Sequence, residues 1–239
     1  MINSSFIKYI TFLFFMMPVC FLSAQNINQF DANGKRHGVW QKKFDKTNLL
    51  RYQGAFNHGK EIDTFKFYKK VNGKSSLAAT KIFNKLNNTA LVKFYSSRGK
   101  LISEGKLDGK KYIGTWKFYQ KNSKNLLINE HYNQQGVLDG ERYVYYKNGA
   151  IAEKQYYSSG KLNGESFWYS EAGVVLKHFI YENDQLHGVS KYYSPKGDLE
   201  VQGSYKKGKK HGIWKYYKNN KLIEEKDFSY KPKKKIIKK

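Results

Sequence analysis

Six histidines, 19 carboxylates and a large excess of lysine are the residues in this 239-residue chain that could do chemistry. His37, His187 and His211 each precede a glycine, and His58 precedes Gly59. Shared metal ligation needs bonds of about 2 Å to one ion. Equivalent residues of a linear array lie a whole unit apart, roughly 10 Å at two strand spacings. The histidines therefore read as turn residues, and neither a metal site nor a cofactor is expected. Glu104, Glu130, Glu153 and Glu224 recur at similar offsets. A general acid and base would need a pocket that raises one pKa, and no insertion or helix supplies one. Their expected role is cross-strand pairing with lysines. Serine is common, but there is no Gly-x-Ser-x-Gly. Gly-Lys pairs belong to turns rather than to a strand–loop–helix phosphate cradle. No catalytic residue is expected, and the protein reads as a non-enzyme.

Residues 1–24 have the pattern of a secretory signal: Lys8, an apolar stretch from Tyr9, and Leu22-Ser23-Ala24 as a cleavage region. The apolar run Tyr9–Leu22 contains Pro18 and is shorter than the roughly 20 residues of a span. Met17-Pro18-Val19 lacks the small residues that would make Cys20 a lipidation site. Removal of this segment takes away Cys20, the only cysteine, so disulfides and thiol chemistry are excluded from the mature chain. The expected location is outside the cytoplasm, in the periplasm or at the outer membrane or cell surface.

The formal charge of +25 favours anionic partners. Two clusters are candidates for an anionic surface. One is Lys206, Lys207, Lys209 and Lys210. The other is the basic tail 231–239, with Lys233, Lys234, Lys235, Lys238 and Lys239. Each lysine near an acidic membrane contributes about 1 kcal/mol. The competing reading is a solubilising surface with a frayed end. Lysine interleaved with aromatic rings also suits single-stranded nucleic acid. Export and the structural role of the rings argue against it, so no nucleic acid is expected.

The elements that must position these residues repeat. Gly140, Gly164, Gly188 and Gly212 fall 24 residues apart, followed by the doublets Tyr145-Tyr146, Trp168-Tyr169, Tyr192-Tyr193 and Tyr216-Tyr217. Gly34-Lys35-Arg36-His37-Gly38-Val39-Trp40 matches Gly208-Lys209-Lys210-His211-Gly212-Ile213-Trp214. Units begin near Gly38, Asp63, Ala90, Gly114, Gly140, Gly164, Gly188 and Gly212. The second and third are degenerate, with an insertion at Val71–Thr80. Each unit reads as a β-hairpin, strand–turn–strand–turn, with aromatic rings on both faces. The chain is expected to be all-β: an elongated, twisted, single-layer antiparallel sheet of about eight tandem hairpins. A lead at 25–32 precedes the array at 33–230, and the basic tail follows. Sixteen strands would span on the order of 75 Å. The framework is Gly38, Trp40, Gly114, Trp116, Gly140, Tyr145, Gly164, Trp168, Gly188, Tyr192, Gly212 and Trp214.

The pattern Gly-x-Trp-x-Tyr-Tyr-x-x-x-Gly-x-Leu followed by Tyr-x-x-Gly-Lys-x-His-Gly resembles the MORN repeat, in the bacterial variant of proteins often labelled antitoxin-like. The resemblance covers about Asn33 to Phe228. It implies a sheet of hairpins used for protein contacts and sometimes for acidic lipids, with no catalytic residue. The leading expectation is an exported, non-enzymatic scaffold that binds a protein or an anionic envelope surface, with peripheral membrane association. Terminal hairpin edges would also allow a dimer. The runner-up is a carbohydrate-binding array for cell-surface glycans. An antitoxin-like neutraliser is the third reading, resting on the family label alone.

Overall fold

The computed structural model describes residues 26–229; the expected signal at 1–24 and the expected tail at 231–239 lie outside them. The first strands are β1 (Gln29–Phe30), β2 (Arg36–Lys43), β3 (Leu50–Asn57), β4 (Lys60–Val71), β5 (Lys74–Phe83) and β6 (Thr89–Tyr95). Then come β7 (Leu101–Asp108), β8 (Lys111–Tyr119), β9 (Leu126–Tyr132), β10 (Gly140–Tyr145), β11 (Ile151–Ser158) and β12 (Lys161–Tyr169). The last are β13 (Val175–Glu182), β14 (Gln185–Leu186), β15 (Gly188–Tyr193), β16 (Leu199–Lys206), β17 (Lys209–Lys218) and β18 (Lys221–Asp227). Pairing is antiparallel between sequence neighbours throughout. β13 pairs with both β14 and β15, which are one strand interrupted at His187. The result is one open sheet of tandem hairpins, all β. It has two strands more than eight hairpins require: β1 falls in the lead, and the β14/β15 strand is split.

Turn chemistry fixes the hairpins. Lys207 and Gly208 both have positive φ (51° and 75°), as in a type I′ turn, whose twist matches the strands it joins. The unit glycine also needs the left-handed region: φ is 64° at Gly114, and Asp63 takes over the same conformation at 54° in the degenerate second unit. The insertion at Val71–Thr80 does not form a loop. It lengthens β4 and β5 around an Asn72-Gly73 turn.

A register shift recurs at the doublet of all eight units, between Lys42/Lys43, Phe67/Tyr68, Phe94/Tyr95, Phe118/Tyr119, Val144/Tyr145, Trp168/Tyr169, Tyr192/Tyr193 and Tyr216/Tyr217. Bulges bend a sheet and increase its twist. They also correct the expected doublet of the fifth unit: by register it is Val144-Tyr145, and Tyr146 begins the turn.

One face is the core. Along it run Trp40, Phe65, Val92, Trp116, Arg142, Ser166, Ser190 and Trp214, two residues after each unit start. Trp116 is 0% exposed, although the sheet is a single layer. Its indole lies over Gly105, stacks on Tyr112 at 3.7 Å and 10°, and donates Nε1–H to the Lys106 carbonyl at 3.0 Å. Val92, Leu107, Phe94, Phe118 and Tyr132 complete the cluster. Trp214 repeats the arrangement over Gly203, donating to the Ser204 carbonyl. Phe65 lies likewise over Gly54.

Candidate binding face

The opposite, outer face carries the residues that alternate with the core row. Cross-strand pairing runs through Lys66↔Thr80↔Lys93↔Glu104↔Lys117↔Asn129↔Tyr143↔Lys154↔Phe167↔His178↔Lys191↔Gln202↔Lys215. Lysines two strands apart in such a row are roughly 10 Å apart. Towards the C-terminal half several side chains of this face pair with carboxylates on the sheet itself. Lys154 pairs with Glu141 at 2.9 Å, His178 with Glu165 at 3.1 Å, and Lys215 with Glu225 at 3.4 Å.

Over β5–β9 the face is different. A groove of about 470 Å³ is lined by Thr80, Ile82, Leu91, Val92, Lys93, Glu104, Gly105, Lys106, Thr115 and Lys117. A second, of about 400 Å³, is lined by residues of the 96–102 and 119–127 segments, including Arg98, Lys100, Ile102, Tyr119, Lys121 and Leu127. Glu104 links them, through Lys93 at 3.3 Å on one side and the Tyr119 hydroxyl at 2.5 Å on the other. The Tyr119 hydroxyl and then Lys93 hold the Glu104 carboxyl below the usual carboxylate range. Burial and Glu104 push the Tyr119 phenol up to about 12. Ile82, Leu91, Ile102 and Leu127 are 50%, 58%, 44% and 42% exposed. Apolar side chains this open on a strand face, ringed by lysine and arginine, suit contact with another surface.

The candidate residues named from sequence are dispersed. Lys206, Lys207 and Lys209 sit exposed at the β16–β17 turn, far along the sheet from the grooves. Lys210 turns to the core face, with Nζ 4.0 Å from the Trp214 ring centroid and 5.0 Å from that of Phe228. The tail lysines lie outside the described residues. The four glutamates are not equivalent. Glu104 is on the outer face, Glu130 and Glu153 both approach Arg142, and Glu224 pairs with Lys226 in its own strand.

Two clusters escaped the sequence reading. In the core row Arg142 donates Nε–H to Glu130 at 3.0 Å and Nη1–H to Gln155 at 3.0 Å, and Tyr132 donates to Glu130 at 2.7 Å. An arginine where other units carry Trp, Phe, Val or Ser was the available signal. The histidines are also not all a unit apart: His37 on β2 and His58 in the β3–β4 turn have ring centroids 4.8 Å apart, and His58 meets Asp31 at 2.6 Å. Among the described residues no group of three or more His, Cys, Asp or Glu could hold a metal ion.

The molecule is thus an open hairpin array with grooves on one strand face and a packed, largely aromatic core on the other. The MORN repeat variant model matches residues 138–159 and 186–207, covering the fifth and seventh hairpins, and supports assigning the repeat to the MORN type. MORN repeats are in general non-enzymatic modules for binding proteins or membrane lipids. No curated protein matches the chain.

Proposed function

We propose that this protein is a non-enzymatic, exported scaffold that docks an acidic, partly apolar surface of another protein over β5–β9. The observation that carries the reading is the pair of joined grooves. Open Ile82, Leu91, Ile102 and Leu127 lie among Lys93, Lys106, Lys117, Arg98, Lys100 and Lys121, with Glu104 already engaged by Lys93 and Tyr119. Apolar contact supplies affinity there, and the cations select the sign of the partner. The signal-like pattern of residues 1–24 supports export. The carbohydrate reading has less support, because Trp116 and Trp214, which a sugar would stack on, are 0% and 1% exposed. The antitoxin-like reading requires a cytoplasmic chain that keeps residues 1–24.

Crosslinking capture from envelope extracts at low and high salt tests this reading, using the parent chain, Leu91→Asp with Ile102→Asp, and Lys106→Glu with Lys117→Glu. One protein partner, captured by the parent and lost with both pairs of substitutions, is expected. Weaker capture of that partner at high salt is also expected. Capture unaffected by the groove substitutions overturns the docking face. Salt-sensitive binding to phosphatidylglycerol vesicles with no protein partner moves the partner to the anionic envelope surface. Fractionation that finds the uncleaved chain in the cytoplasm overturns export and favours the antitoxin-like reading.

A further inference from the structure

The first unit breaks the repeat at its doublet. Its register shift falls between Lys42 and Lys43, where each of the other seven units carries Phe, Trp, Tyr or Val followed by Tyr. The extra residue that the shift leaves between Leu50 and Tyr52 is Arg51. In the other units that place holds Ala78, Ile102, Leu127, Ala152, Leu176, Glu200 or Ile223, so no other unit has a cation there. The first residue of the doublet is half-buried in those seven units, whereas Lys42 is exposed. A lysine has no ring to lay on its neighbours, and the rings beyond it are left open.

Those rings are Tyr52, which opposes Lys42, and Phe67, which opposes Tyr52; they lie 6.4 Å apart with planes at 45°. With Phe44 and Tyr68 they form the apolar part of a pocket of about 380 Å³, and Arg36, Lys42 and Arg51 supply the rest of its lining. Small-ligand sites run to roughly 300–1,000 Å³. No carboxylate is among the lining residues. Among the described residues none of the three cations takes part in an ion pair. Arg36 is held by aromatic faces, its guanidinium 5.1 Å from the Trp40 ring centroid and 5.2 Å from that of Phe56. Lys81 stands 5.7 Å from the Phe67 centroid and Lys70 5.0 Å from that of Phe44, which adds to the positive field.

We propose that this pocket binds a small phosphate monoester carried on an aromatic ring. The ligand's ring takes the place of the doublet ring that the first unit lacks, against Tyr52 and Phe67. Its phosphate, a dianion, meets three cations that the chain leaves without a carboxylate, and the two guanidinium groups offer it paired N–H donors. A singly charged carboxylate uses less of that charge, and a ring without an anion leaves all of it unmet. The site lies on β2–β4, apart from the grooves over β5–β9, so it stands or falls independently of the docking face.

The test is a titration of the full chain, followed by amide chemical shifts, with phenyl phosphate, benzoate, phenol and inorganic phosphate as probes. Phenyl phosphate is expected to shift the Arg51, Tyr52 and Phe67 amides and to bind at least about tenfold more tightly than each of the other three. Lys42→Phe and Arg51→Leu install the residue types that sister units carry at Phe67 and Leu127, so neither should disturb the fold. Each should weaken phenyl phosphate binding at least about tenfold, the first by filling the pocket and the second by removing a donor. Inorganic phosphate that binds as tightly as phenyl phosphate would reduce the pocket to a patch of charge and overturn the proposal. Shifts confined to other strands, no binding of phenyl phosphate at millimolar concentration, or an affinity unchanged by Lys42→Phe would overturn it equally.

Discussion

Gly105→Ala is the sharpest probe of the packing. Gly105 sits at a register shift between β7 and β8, and its φ is outside the left-handed region, so backbone strain plays no part. An added Cβ would stand 2.5 Å from Cε2 and 2.7 Å from Cγ of Trp116. The indole has no room to retreat: it is 0% exposed, held by its bond to Lys106 O and stacked on Tyr112. Overpacking of a tight core costs about 1–3 kcal/mol, and loss of the indole bond adds about 1 kcal/mol. The substitution should therefore cost roughly 3 kcal/mol. Gly114→Ala, where nothing lies within 4 Å but φ is +64°, should cost about 1–2 kcal/mol from strain alone.

Trp116→Ser separates the steric effect from any other. It is destabilising by itself, by about 3–5 kcal/mol. In its presence Gly105→Ala should change stability by no more than about 0.5 kcal/mol. Repeat arrays do not guarantee two-state unfolding, so urea midpoints should be read beside amide exchange in β7 and β8. A Gly105→Ala cost that is the same with and without the indole would refute the reasoning.

Three further perturbations follow from polar contacts. Arg142→Met strands the Glu130 carboxylate, whose side chain is 12% exposed. It should cost about 2 kcal/mol in urea unfolding, less than a fully buried pair because Arg142 is itself 20% exposed. Adding Glu130→Leu and Gln155→Leu should recover most of that, and an unchanged midpoint for Arg142→Met alone would remove the cluster from the stability argument. Tyr119→Phe should flatten the pH dependence of Tm at both ends. The Glu104 carboxyl, held low chiefly by Tyr119, contributes stability above its unfolded value of 4.5 and loses it as pH falls through the lower folded value. The Tyr119 phenol, raised to about 12, costs stability as pH climbs from 10 towards 12, because the unfolded chain ionises first. Slopes identical in parent and variant would contradict this. Asp31 is held low chiefly by its hydrogen bond to His58. Acidification below 3.8, or Asp31→Asn at neutral pH, should speed amide exchange at Asn33 and Lys35, which donate to Asp31, while β7 and β8 exchange as before.

The hairpins, their order and the degenerate units were legible because a Gly with a fixed aromatic offset encodes both turn and face. Strand register was legible only as far as the doublets kept step. At Gly140 the arginine unit carries Val144-Tyr145, and the neighbouring Tyr146 disguised the offset by one residue. The grooves were not legible. Ile82 and Leu91 pair across β5 and β6 in one groove, and Ile102 and Leu127 line the other from β7 and β9, whereas in sequence they are scattered single apolar residues. The pairing of His37 with His58 was hidden for a similar reason. Repeat arithmetic compares like positions, and these two are unlike: His37 lies on β2 and His58 in the β3–β4 turn.

The aromatic row is a row of filled volumes rather than of identical residues. Phe65, Trp116 and Trp214 each cover a glycine on the preceding strand, Gly54, Gly105 and Gly203. Where the unit residue is small, the order inverts. Phe179, 8% exposed, stands opposite Ser166 and adjacent in the row to Ser190, and both serines are 0% exposed with hydroxyls that find no hydrogen-bond partner among the described residues. Serine is there for its size, since an unpaired buried hydroxyl is itself unfavourable. The inversion makes a reciprocal prediction. Ser190→Trp should collide with Phe179 and destabilise by at least about 3 kcal/mol, although Trp is the residue of three sister units. With Phe179→Gly the tryptophan should regain more than half of that loss, because the pair then reproduces Gly105 and Trp116. If Phe179→Gly worsens Ser190→Trp in urea unfolding, neighbouring volumes do not decide which ring a unit carries.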